Sequence, residues 1–185
     1  MRAAPAALIL GLAAVSLPAL AYGQGAPVPG ASVPNGTVPT QTYKSWALDC
    51  IVPKSGEGAG KQVCFIHHEA RSTTDATAIM ARIVVRRAGP DKKLALILQL
   101  PPNSVQASGL SVGIDANKAY PVAIQACLPK FCYGAIEMTN DLQGEAKAGQ
   151  QMNLVFAAKD KGSQQVPVPL AGITAALAAL AKSGS

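Results

Sequence analysis

The stretch Ile79-Met80-Ala81-Arg82-Ile83-Val84-Val85-Arg86-Arg87-Ala88-Gly89-Pro90-Asp91-Lys92-Lys93-Leu94-Ala95-Leu96-Ile97-Leu98-Gln99-Leu100 decides the fold class. In its first half, Ile83 and Val85 alternate with Arg82 and Arg86, the period of a strand with two unlike faces. Its second half, Lys93 to Leu100, is apolar on both faces, as a strand in the middle of a sheet would be. Gly89-Pro90-Asp91 breaks the two apart and reads as the turn of a hairpin.

The same rhythm extends in both directions. Trp46, Leu48, Cys50 and Val52 share one face of a first strand, with Asp49 on the other. Val63, Phe65 and His67 alternate with Cys64, Ile66 and His68. Further strands are expected near 109–114, 119–127, 132–138 and 151–158, with breaks such as Pro101-Pro102-Asn103 and Asp115-Ala116-Asn117. Asn140 to Gly149 would hold a short helical turn. Ile173, Leu177 and Leu180 recur at helical spacing and suggest a terminal helix docked on the sheet. The prolines of Val166-Pro167-Val168-Pro169-Leu170 confine that segment to a sheet edge. Many short strands with regular turn signals argue for an all-β, immunoglobulin-like antiparallel β-sandwich with a short C-terminal helix, with a closed barrel as the competing arrangement.

The N-terminus points to export. Arg2, an apolar run from Leu8 to Leu20 and the small residues Ala19 and Ala21 make the three-part pattern of a signal peptide, assigned here to 1–23. The run is too short for a bilayer span, and no later stretch reaches the ~18 apolar residues a span needs. Residues 24–41, with Pro27, Pro29, Pro34 and Pro39, read as an extended leader, and 42–182 as the folded domain. About 160 residues after the signal suffice for one domain that buries roughly 68–70% of its unfolded surface. Loss of Arg2 takes the formal charge from +6 to +5. That charge is spread along the chain, which argues against nucleic acid and for weak attraction to an acidic surface. The expected location is the periplasm or the extracellular side, with outer-membrane association an option.

Cys50, Cys64, Cys127 and Cys132 permit three disulfide pairings. Cys50–Cys64 and Cys127–Cys132 are favoured, because each pair is close in sequence and flanks a turn. In the chain-entropy model the two loops contribute ~3 and ~2 kcal/mol. No C-x-x-C is present, and the Cys127-x4-Cys132 spacing is wider than a zinc knuckle.

Three other groupings could carry chemistry. Gly109-Leu110-Ser111-Val112-Gly113 matches the nucleophile elbow of serine hydrolases, yet a turn follows where a helix is required, and both histidines precede the serine. A strand flanked by glycines is the preferred reading, so no catalytic residue is assigned. His67-His68-Glu69 would put His67 and Glu69 on one strand face, a start for a metal site that lacks a third ligand; a strand end is preferred. No metal or cofactor is therefore assigned. Arg82, Arg86, Arg87, Lys92 and Lys93 surround the Gly89-Pro90 turn. They would form either a docking patch for an anionic partner or a charged edge that resists aggregation. Trp46, the only tryptophan, is expected to pack over the Cys50 bridge.

The order Trp46-Ala47-Leu48-Asp49-Cys50, Cys64 and the Cys127/Cys132 pair, closed by Val166-Pro167-Val168-Pro169-Leu170-Ala171-Gly172-Ile173-Thr174-Ala175-Ala176-Leu177, resembles the invasion-associated locus B family of exported bacterial proteins. The match covers roughly Tyr43 to Leu180. The resemblance implies an immunoglobulin-like sandwich and, from the family name, a contribution to the invasion of host cells. It carries over no active site. The expected function is non-enzymatic contact with another protein or with an anionic envelope or host surface. A periplasmic small-ligand or metal carrier is the alternative.

Overall fold

The structure, a computed structural model, describes residues 41–183 apart from 57 and 160. The expected signal peptide (1–23) and all of the leader except Gln41 lie outside the described residues.

The strands are β1 (Gln41–Tyr43), β2 (Trp46–Ile51), β3 (Val63–Arg71), β4 (Ile79–Ala88), β5 (Lys93–Leu100), β6 (Leu110–Ile114), β7 (Ala119–Val122), β8 (Ile124–Cys127), β9 (Cys132–Glu137), β10 (Gln151–Ala158) and β11 (Gly162–Pro169). Two α-helices, α1 (Asn140–Ala148) and α2 (Ile173–Lys182), and a short 3-10 turn, Gln106–Ser108, complete the set among the described residues. One sheet has seven strands in the order β1-β2-β3-β4-β5-β9-β8, and the other has four in the order β11-β10-β6-β7. Every pairing within them is antiparallel. The sheets stay separate, so the expected sandwich is the arrangement found and the barrel is not.

Period-two patterning explains the layers. Leu48, Ile66, Val85 and Leu96 lie side by side on four strands and face the core, where they meet Val112, Ile114, Leu154 and Phe156 of the second sheet. β5 sits between β4 and β9, as its two apolar faces require. β11 is an edge strand. Pro167 and Pro169 oppose Asn153 and Gln151. Lacking an N–H, each turns its nitrogen to the free side, which leaves fewer donors there for a foreign strand.

Both disulfides join directly opposed residues, Cys50 to Cys64 across β2–β3 and Cys127 to Cys132 across β8–β9. This is the favoured pairing.

The expected strand over 119–127 is two strands, β7 and β8, which belong to different sheets. Val122 and Ile124 are both buried, so their side chains stay in one core while the backbone changes sheets at Ala123. The crossing passes tightly over β9, because a Cβ on Gly134 would sit 2.6 Å from the Ala123 carbonyl oxygen. Val52 lies beyond the end of β2 and is 62% exposed rather than aligned with the buried face of Trp46 and Leu48.

The helices have ordinary causes. Thr139 caps α1 by accepting the Leu142 N–H, with Asp141 in the first turn and Lys147 in the last, each matching the helix dipole. In α2, Ile173, Ala176, Leu177 and Leu180 form the buried stripe, which packs against β1, β2 and β3. Trp46 is fully buried. Its indole N–H donates to the Pro169 carbonyl at 3.0 Å, and its ring lies tilted against His68 with centroids 5.8 Å apart. The partners that fix Trp46 are thus the end of β11 and His68 of β3.

Candidate functional site

The groups with chemical potential collect on the face of the seven-stranded sheet that turns away from the second sheet. Register sets three rows across it. Asp49, Phe65, Arg86, Ala95 and Glu137 form one, Ala47, His67, Val84, Ile97 and Ala135 the next, and Glu69, Arg82, Gln99 and Tyr133 the third. Phe65, Val84 and Ile97 make a small apolar cluster of their own here, with Ile51, Ala95 and Ala135 packed against it. Polar side chains frame this cluster.

The histidines divide as strand alternation requires. His67 points to the outward face, where its Nε2 lies 2.9 Å from Asp49 Oδ2, and Asp49 is 1% exposed. His68 points the other way, with Nδ1 2.6 Å from the Ser45 carbonyl oxygen. Glu69 shares the face of His67, as expected, but its carboxylate is taken by two guanidinium groups, Arg71 at 2.6 Å and Arg82. Burial pushes the Glu69 carboxyl up, while the hydrogen bonds and charges of Arg82 and Arg71 outweigh this and hold it below its usual value. A carboxylate so engaged is a poor partner for a cation beside His67. Among the described residues, no three of His, Cys, Asp and Glu come together in a metal-binding group.

The five cations expected around the β4–β5 turn are only partly gathered. Arg82 and Arg86 do share the outward face. Arg82 is paired with Glu69, and Arg86 is 7% exposed, with Nη1 donating to the Arg87 carbonyl. Arg87 donates to the Lys92 carbonyl at 3.1 Å, which buttresses the turn where Lys92 takes a positive φ of 49°. Lys93 Nζ lies 3.0 Å from Glu137 Oε2, and the bond to that carboxylate raises its pKa. Beside this pair a shallow groove of about 310 Å³ runs along Ala88–Asp91, Lys93–Ala95 and Ala135–Glu137. Much of the positive charge in the expected patch is therefore balanced or buried within the fold.

Ser111 sits in the middle of β6, between Val155 of β10 and Pro121 of β7. After β6 the chain turns at Asp115, whose φ is +49°, and no helix follows. Both histidines lie on β3 in the other sheet. The strand reading of the glycine-flanked segment holds, and the nucleophile elbow does not form.

Two relationships escaped the sequence reading. The Asp49–His67 pair needed the β2–β3 register, which the alternation within each strand does not give. The second guanidinium on Glu69, from Arg71, follows from a spacing of two residues on one strand face and could have been anticipated.

Comparison with solved structures finds the invasion associated protein b of Bartonella henselae at a TM-score of 0.65 and 22% identity, covering 78% of this chain and 95% of that one. At that identity the likeness shows the fold. Comparison with curated proteins gives no match. The family model for the invasion associated locus B (IalB) protein matches residues 46–181, from Trp46 at the start of β2 into the last turn of α2. The chain belongs to the IalB family.

Proposed function

We propose that this protein is a non-enzymatic, exported β-sandwich that acts by contact with another surface in the bacterial envelope or on a host. The observation that carries the reading is the internal use of its reactive groups. His67 is held by Asp49, Glu69 by two arginines, and all four cysteines by each other. Ser111 sits mid-strand, with both histidines in the opposite sheet. What such a molecule offers is a rigid surface. Two disulfides support export, because they persist in oxidising compartments. The shared fold with a Bartonella protein named for its association with invasion supports a surface role.

Crosslinking in the native cell followed by mass spectrometry tests this. The expected result is a reproducible envelope or host partner for the oxidised, processed protein. Recovery of the protein with free thiols from the cytoplasm, or covalent labelling of Ser111 by a serine-reactive phosphonate, would overturn it.

A further inference from the structure

The outward face of the seven-stranded sheet is dry, although no described strand or helix covers it. Phe65, Val84 and Ile97 are 4%, 0% and 3% exposed, and Arg86, Gln99 and Tyr133 beside them are also buried. The second sheet and the buried stripes of α1 and α2 all belong to the main core on the opposite face. A sheet face with nothing packed on it normally stays solvated. Two polar atoms are shut in here as well. Nδ1 of His67 and Nε of Arg82 are buried and have no hydrogen-bond partner among the described residues.

The chain itself supplies a cover of the right kind. Gln41 opens β1 opposite Leu48, the neighbour of Asp49, so the residues ahead of it join the sheet beside the row Asp49, Phe65, Arg86, Ala95 and Glu137. Residues 24–40 hold no charged side chain and carry Val28-Pro29, Val33-Pro34 and Val38-Pro39 at a spacing of five. A proline-rich segment of this kind favours an extended form whose backbone makes no hydrogen bonds to itself. Its carbonyls can therefore accept from Arg82 Nε, and its non-proline N–H groups can donate to His67 Nδ1. At ~3.1 Å per residue it reaches roughly 50 Å, against about 24 Å from β1 across to β9. Successive Val-Pro pairs would lie about 16 Å apart, close to the three strand spacings, about 14 Å, that part β3 from β9.

We propose that the Val-Pro leader, residues 24–40, docks across this face as a strap over Phe65, Val84 and Ile97. Apolar strips with aromatic rings seat extended proline segments, and Phe65, His67 and Tyr133 supply rings here. Its lack of charge suits a face where Glu69 already pairs with Arg82, and Lys93 with Glu137. The docking is independent of the surface-contact reading and holds or fails without it.

Photo-crosslinking within the oxidised, processed protein tests it, with p-benzoylphenylalanine in place of Val33 or of Val38. The expected products are intramolecular crosslinks to outward-facing residues of β3, β4 or β5. In parallel, Val33→Asp combined with Val38→Asp should quicken diethylpyrocarbonate modification of His67 at least about tenfold, since two valine side chains leave the contact. His68, on the other face of β3, should keep its wild-type rate. Crosslinks scattered over both sheets, crosslinks only between copies, unchanged reactivity of His67, or equal quickening of His68 would overturn the proposal.

Discussion

His67 Nε2 and Asp49 Oδ2 meet at 2.9 Å on a sheet face that looks away from the main core, and the aspartate is nevertheless closed off from water. The two residues are diagonal neighbours on β2 and β3, since Asp49 stands opposite Phe65 and His67 opposite Ala47. The Phe65 ring lies 5.8 Å from the imidazole and helps to shut the pair in. Asp49→Ala would leave His67 without this acceptor in a dry setting. The cost should be about 2–3 kcal/mol in urea unfolding at neutral pH. A loss below about 0.5 kcal/mol would mean that the pair is only a surface contact.

Glu69 makes a pH-dependent contribution whose direction follows from its surroundings. Its carboxyl lies below the usual value of 4.5 in the fold, so the unfolded chain binds its proton more readily. The stabilisation is complete above the unfolded pKa and is lost as pH falls through the folded one. Stability should therefore decline in the acid range below about pH 4.5. Glu69→Gln should flatten that limb and cost about 1 kcal/mol at neutral pH. An unchanged acid limb in a series of urea titrations would contradict the assignment.

Tyr120 should titrate apart from the other tyrosines. Its hydroxyl donates to Glu145 at 2.7 Å, and this bond, burial, and the charges of Glu145 and Asp141 push its pKa up to about 12. A phenol raised in the fold contributes stability below the unfolded pKa of about 10, and that contribution is lost as pH rises towards the folded value. Ultraviolet titration in alkali should show one late-ionising tyrosine that disappears in Tyr120→Phe. In Glu145→Gln it should move back towards the ordinary value.

Gly172 joins the last strand to the last helix. Its φ is +94°, and a Cβ there would sit 2.0 Å from the Tyr43 carbonyl oxygen. The Ser45 N–H donates to the Ala171 carbonyl at 3.2 Å in the same latch. Since neither backbone can yield cheaply, Gly172→Ala should destabilise by more than about 2 kcal/mol. Calorimetry showing an unchanged midpoint would mean that the latch opens without cost.

The sandwich was largely readable because period-two alternation is a local property. Ile83 and Val85 against Arg82 and Arg86, the doubly apolar Lys93–Leu100 and the proline-marked edge at Val166–Leu170 each carried their position in their own composition. The break at Ala123 was not readable, since Val122 and Ile124 keep the alternation while the backbone changes partners. The cationic grouping was legible as charge and illegible as a surface. Arg82 meets Glu69 across β3–β4, Lys93 meets Glu137 across β5–β9, and such cross-strand partners are set by register.

The amino-acid order alone determined the strand rhythm, the compartment expected from the leader and cysteines, and the disulfide pairing favoured among neighbours. Each of these depends on residues close together along the chain. Tertiary structure alone decided which charges are cancelled, that Asp49 lies dry beside His67, and that Leu128 and Ile79 share one end of the seven-stranded sheet. Those outcomes depend on register and on which strand ends lie side by side, quantities that exist only once distant segments have paired.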